Sequence, residues 1–510
     1  MEWLTLLCAL ASAVSAPPGI MINEDNSHFF GLRPAEEMTE AGLKSFVDQY
    51  AGTTTTHLFL CPSAMRTSYK SDVWDSIWEV GAQKIPPDNE VAKRWVENAK
   101  ILFDQGLDPY KVWTERCREK GIAAWISVRM NDVHDVSDPT NYMHSTFWVN
   151  HPEYRRVPGS TSGAWVERAL NFAIPEVRDH YRKLIVELLA RYDIDGIELD
   201  WMRFGWHFKP GEEAQGVGIL NAYMREIRAL TNESSAKRGH PVQLAARVPT
   251  LPEAARGLGM DGVAWVKEGL VDVLVPTPFW ATGDYDIPIE QWREQCGPAA
   301  AKVVLAAGQE ILLRAYAGGP AIENDIESVR GFAAGAMHRG ADTVYLFNYM
   351  DKAPMVGGEA AYRTLLEDGL SLEAATAKPR RHIVTYRDTV APGMSSDTQL
   401  PAGGRSGRAI KLYLGPAPKT GTTLVRFGLP AGEGVGTVVL NATINDIPCN
   451  SVADHPTPAD FPGCARVLQF EAPLSALKDG YNIVKASQSA PEAEAQLVWV
   501  EVRVDPVKKN

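Results

Sequence analysis

The chain has 510 residues, 45% of them hydrophobic and 22% charged, close to ordinary soluble globular proteins, which excludes fibrous, coiled-coil and wholly disordered organisation. Its 51 Lys+Arg against 63 Asp+Glu give a net charge of −12. An acidic chain with no basic block repels a phosphate backbone, so no nucleic-acid partner is expected.

The N-terminal segment MEWLTLLCALASAVSA (1–16) is apolar and ends in small residues. Ala11-Ser12-Ala13 has the A-x-A form of a signal-peptidase site; Val14-Ser15-Ala16 is a second option, weakened by the following Pro17. Glu2 stands where a basic residue is usual, and a buried N-terminal strand or helix is the competing reading. A signal peptide over 1–16 predicts a secreted or periplasmic protein. No other segment approaches the roughly 20 apolar residues of a membrane span, so none is expected.

From Gly19 to about Asp351 one pattern repeats: a short apolar run, a polar turn, an amphipathic helix. The predicted strands cover 19–25, 56–63, 123–132, 195–204, 242–250, 271–280, 302–310 and 342–350. Between them, 175–193 places Val177, Tyr181, Leu184, Ile185, Leu188 and Leu189 at helical spacing, with Pro175 at the start where its fixed φ fits. Eight such units with near-continuous apolar strands predict a (β/α)8 TIM barrel over 17–378. An open doubly wound sheet is the alternative, but no glycine-rich phosphate loop follows the first strand. Lys378-Pro379-Arg380-Arg381 reads as an exit linker, and 379–510 carries short alternating strands broken by Gly and Pro, predicting an antiparallel β-sandwich. Segments VVLNATIND and PLSALKDGYNIVKAS resemble jelly-roll accessory domains of secreted carbohydrate enzymes; such a domain either binds glycan or braces the barrel. Cys449 and Cys464 bound a Pro- and Asp-rich loop that a disulfide would close in an oxidising compartment, against the alternative of two free thiols.

In a parallel barrel the C-terminal strand ends surround the active site. That rule collects Asn23, Glu24 and Asp25; Arg129, Asn131, Asp132 and His134; Glu198, Asp200 and Arg203; Arg247; Trp280; Gln309 and Glu310; Asn348 and Tyr349. Asn, Asp and His suit hydrogen bonds to sugar hydroxyls, and Trp280, Trp201 and Trp206 are platform candidates, with Trp201 assigned to the core. A metal at Asp132, His134 and Asp135 would rest on one histidine without supporting spacing, so neither metal nor cofactor is expected.

The sharpest motif is D-G-I-E-L-D-W-M-R-F (195–204). Period-two alternation turns Glu198 and Asp200 to one side and Ile197, Leu199 and Trp201 to the other. Two inward carboxylates on a buried strand are costly unless hydrogen-bonded or used; pairing with Arg129 and Arg247 would satisfy them structurally. The run from Tyr192 to Phe204 resembles strand four of glycoside hydrolases and glycosyl-hydrolase-like barrel families, in which D-G-I-x-L-D-x-x-R carries a functional Asp at the strand end; L-N-F-A-I-P-E-V-R (170–178) resembles the helix entry of such bacterial proteins. The resemblance implies a catalytic role for Asp200 and a carbohydrate substrate. The chitinase pattern D-G-x-D-x-D-x-E would need a glutamate at position 202, where this chain has Met202, so that mechanism is rejected. A glycosidase needs two carboxyl groups across the scissile bond. Glu310, at the end of strand seven, is the best second group by position; Glu198, Asp284 and Asp286 are its rivals. The alternatives are a binding barrel without catalysis, or another, metal-assisted, barrel hydrolase or lyase. The oligomeric state stays open.

Overall fold

A computed structural model describes residues 19–162, 164–350, 355–490 and 493–507. The leader-like segment lies outside them. Eight parallel strands close into a barrel: β1 (Ile20–Glu24), β2 (Thr55–Leu60), β3 (Ala123–Arg129), β4 (Gly196–Asp200), β5 (Gln243–Val248), β6 (Val273–Pro276), β7 (Val304–Glu310) and β8 (Thr343–Phe347). Each falls on a strand expected from sequence, with β2 starting one residue earlier, at Thr55. β1 pairs with both β2 and β8, which closes the ring and removes any sheet edge. β6 stops at Pro276, well short of its expected end, because Pro278 has no N–H to continue a ladder.

Alternation sorts the strand side chains. Met21, Phe59, Trp125, Ala245, Val273, Val275, Ala306 and Tyr345 pack inside the barrel with Phe347, while Ile22, Leu58, Ile126, Ile197 and Leu199 belong to the larger layer between strands and helices. Gly196 is required by this filling: a Cβ there would lie 2.5 Å from the Trp125 ring. Trp201 is fully buried among Phe172, His207, Tyr223 and Trp265, as expected.

Beside a short two-stranded sheet pairing Ala402–Gly403 with Gln496–Leu497, the C-terminal region forms two larger antiparallel sheets. One has the order Arg380–Ile383, Trp499–Asp505, Thr422–Leu429, Arg466–Glu471, Asn450–Ser451; the other Ile410–Tyr413, Tyr481–Ala490, Val439–Ile444, Ile447–Pro448. The exit linker is a correction. Arg380 and Arg381 already belong to an edge strand that pairs with Val504 and Arg503 and lies against the helix Ile326–His338. Gly331 of that helix leaves no room for a side chain, since a Cβ would sit 1.8 Å from the Arg381 carbonyl oxygen. Arg381 ion-pairs with Asp325 and Glu501, and Arg503 with Glu327 at 2.9 Å. The expected disulfide is a second correction: Cys449 and Cys464 are both free, their thiols turned to different backbone carbonyls, those of Ile447 and Pro462. Among the described residues no helix is long and apolar enough to cross a membrane.

Candidate active site

Register places Arg129, Asp200 and Arg247 side by side at the C-terminal ends of β3, β4 and β5, and Glu310 beside Phe347 at the ends of β7 and β8. Asp200 is fully buried. Its Oδ2 accepts a 2.6 Å bond from Arg247, and its Oδ1 accepts the backbone N–H groups of Met202 (3.0 Å) and Arg203 (2.9 Å). The Arg247 guanidinium is itself fully buried and lies 3.8 Å over the Phe347 ring.

Glu198 sits one inward position deeper on β4. Its Oε1 accepts from Ser127 Oγ (2.6 Å) and Tyr345 OH (2.8 Å), and Asn23 donates to Tyr345 in turn; Oε2 has no partner. Burial, reinforced by the nearby Asp200 charge, pushes the Glu198 carboxyl upward.

Glu310 is buried as well. Asn348 donates to its Oε1 at 2.8 Å and the Ile311 N–H at 3.0 Å, while Oε2 has no partner. Burial pushes its carboxyl up to about 8, opposed by the Asn348 bond and by Arg203 and Arg247. Asn348 reaches this position in a left-handed conformation, φ 64°, which asparagine tolerates better than most side chains.

A second group of charges adjoins β1 and β3. Arg129 binds Asp25 and lies 3.2 Å from Asp132. Burial pushes both carboxyls up, but Arg129 beside Asp25, and His134 together with Arg129 beside Asp132, outweigh it and hold both below the ordinary range. His134 lies between Asp132 (2.8 Å) and Arg203 (2.7 Å). Because the guanidinium can only donate, Nε2 accepts, which places the ring proton on Nδ1 facing Asp132. Above them, Phe204 packs on His134 at 4.9 Å and joins Trp165, Trp206 and Phe279 in an aromatic cluster from the loops after β3, β4 and β6.

Several expected residues lie elsewhere. Glu24 points into the helix layer, bonded to Tyr50 and His28, because alternation turns it away from Asn23. Asn131 is buried with its amide spent on the backbone of Leu170 and Trp206. Tyr349 packs in the outer core, its OH 3.4 Å from the Glu310 carbonyl, and Gln309 alternates outward. Asp284 and Asp286 face the C-terminal region: Arg387 approaches both, and Asp286 also binds Arg339 and Tyr481. Trp280 is 44% exposed and outside the aromatic cluster. Residues that sequence reasoning missed are Ser127 and Tyr345, which hold Glu198, and the rings of Trp165, Phe204 and Phe279. Period-two alternation would have turned Ser127 and Tyr345 inward; the rings sit on irregular loops with no periodic signal.

Residues 72–236 match a family model described as glycosyl hydrolase-like 10. The chain resembles the glycosyl-hydrolase-like barrel proteins. The glycosyl-hydrolase-like match takes in β3 and β4, with Arg129, Asp132, His134, Asp200 and Arg203, but not Arg247 or Glu310. Two curated relatives, both named glycosyl hydrolase DigH, from Escherichia coli K12 and Shigella flexneri, are 20% identical over 251 residues, 40% of this chain. The chain thereby spans 55% of their length. Similar solved structures include an α-L-fucosidase isoenzyme 2 from Paenibacillus thiaminolyticus (14% identity, TM-score 0.42, 70% of this chain and 48% of that one). Another is the PgaB (BpsB) glycoside hydrolase domain from Bordetella bronchiseptica (12% identity, TM-score 0.39, 70% of this chain and 99% of that one).

Proposed function

We propose that this protein is a glycoside hydrolase in which Asp200 acts as the ionised carboxylate facing the anomeric carbon and Glu310 as the proton donor to the leaving oxygen. The observation that carries the reading is the opposite environment of two inward carboxyl groups at one barrel end. Asp200 is ion-paired and accepts two backbone N–H groups. Glu310 is buried with one oxygen unpartnered, and its raised affinity for a proton keeps it an acid at neutral pH. Acid and base assignments follow from such divergent environments. Glu198 has a supporting role in this account, held beneath Asp200 by Ser127 and Tyr345. Asp132, His134, Arg129, Asp25 and Arg203 supply the polar wall that orients sugar hydroxyls. The substrate class in this reading is an oligo- or polysaccharide, and action outside the cytoplasm is part of the same proposal, supported by the apolar segment 1–16 with its Ala11-Ser12-Ala13.

The test is reducing-end release from a polysaccharide panel by wild type, Asp200→Asn and Glu310→Gln, each with a thermal melt. Wild-type turnover, lost by roughly 10²–10⁴-fold or more in each variant, is the expected result. Sugar binding without turnover by the wild type across the panel would overturn the reading in favour of a non-catalytic binding barrel.

A further inference from the structure

The C-terminal region grips the loop after β6, at the barrel mouth. The Asp388 carboxylate accepts three consecutive backbone N–H groups of the loop after β6: Phe279 (2.9 Å), Trp280 (2.9 Å) and Ala281 (2.9 Å). Neighbouring residues grip the same loop. Thr385 Oγ1 accepts the Tyr285 N–H at 3.2 Å, and Arg387 donates to the Asp286 carbonyl at 3.0 Å. A carboxylate filled by backbone donors fixes three peptide planes at once, as an oriented nest fixes an anion.

The first of those peptides carries Phe279, whose ring lies 5.3 Å from Phe204 and 5.4 Å from Trp165. Phe204 is in a left-handed conformation, φ 67°, which is strained for a bulky aromatic residue and persists only where its surroundings enforce it. Its enforcing neighbours are Phe279, Trp165, His134 and the Arg203 guanidinium, 5.3 Å from the ring centre. The preceding residue, Arg203, donates its backbone N–H to Asp200. A continuous path therefore runs from Asp388 through Phe279 and Phe204 to the hydrogen bonds that orient Asp200.

We propose that Asp388 is a positioning residue for the strand-four carboxylate, so that the C-terminal region is a working part of the site and not only a brace on the barrel. This rests on the glycosidase reading for its catalytic consequence, but its structural content does not. Removing the carboxylate frees the 279–281 peptides, withdraws Phe279 from Phe204, and lets the 201–204 turn relax toward right-handed backbone, loosening the donors at Asp200.

The experiment compares amide hydrogen exchange in the full chain for wild type, Asp388→Ala, Asp388→Asn and Arg503→Ala. The last weakens the same domain contact at Glu327 without touching the loop. Asp388→Ala should raise exchange about tenfold in peptides covering both 277–283 and 200–206, and leave the β2 and β3 peptides unchanged. Asp388→Asn, which keeps one acceptor oxygen, should restore part of the protection; Arg503→Ala should raise neither segment. An increase confined to 277–283, or the same pattern from Arg503→Ala, would overturn the proposal. On an oligosaccharide cleaved by the wild type, Asp388→Ala should lower kcat by roughly ten- to a hundredfold with a smaller change in KM, the size expected for a misplaced reacting group. If no sugar is cleaved, the exchange result still decides the coupling, while the glycosidase reading fails separately.

Discussion

Glu310 makes the sharpest residue-level demand. Its carboxyl titrates near 8 in the folded protein against an ordinary 4.5, so between those pH values the folded state holds a proton that the unfolded chain has released. Its contribution to stability is therefore complete below about pH 4.5 and falls as pH rises toward 8. Glu310→Gln should flatten that part of the stability–pH curve, as read by urea unfolding at a series of pH values. Glu198→Gln, which mimics the protonated acid and can still accept from Ser127 and Tyr345, should keep most turnover; a loss as large as that of Asp200→Asn would make Glu198 a reacting group. Asp200→Asn carries a structural cost that the isosteric shape alone would not suggest. It strands the fully buried Arg247 cation, and breaking such a pair typically costs about 3–5 kcal/mol, so its melt must accompany its kinetics.

At the level of elements, the strands were legible because eight near-continuous apolar runs have no other stable arrangement than a covered parallel sheet. Alternation along D-G-I-E-L-D also told correctly that Glu198 and Asp200 share a side. The same alternation turns Glu24 and Gln309 outward at the ends of β1 and β7, while Tyr349 lies beyond the end of β8 at Phe347, where left-handed Asn348 breaks the alternation and sends the ring to the outer core. The loops were opaque because contact there depends on long-range packing. Nothing local announces that Phe204 is left-handed, or that FWATGDYD turns from the mouth toward Arg387, Arg339 and Tyr481. Gly196 offers a direct check on the barrel filling. Gly196→Ala would push a methyl into the Trp125 ring and should destabilise by about 1–3 kcal/mol in denaturant unfolding. A neutral effect would mean that the interior beneath Glu198 is looser than described.

Across the whole molecule, the sequence suggested two units joined by a linker, and the two units are present, but the join is a packed strand. Helix Ile326–His338 is covered by Arg380–Ile383, and the ion pairs Arg381–Asp325, Arg503–Glu327 and Lys411–Asp286 tie barrel to sandwich. The full chain should accordingly unfold in one cooperative calorimetric transition; two well-separated transitions would show that the contact carries little energy. The same contact places Asp388 on the mouth loop. Composition hinted at none of this, because Arg380 and Arg381 look like solvated linker charges until the fold buries Arg380 against the Thr376 carbonyl and brings Asp325 and Glu501 to Arg381.

The central claim is that Glu310 donates a proton across the bond from an ionised Asp200, and a leaving-group series tests it most directly. Wild type and Glu310→Gln are compared on the cleaved oligosaccharide and on its aryl glycosides with leaving groups of decreasing pKa. The account predicts a loss of roughly 10²–10⁴-fold for Glu310→Gln on the natural leaving group, shrinking steeply as the leaving group needs less protonation, with the wild-type decline in kcat/KM above about pH 8 removed in the variant. An equal loss on every leaving group, or none on the natural sugar, would contradict it.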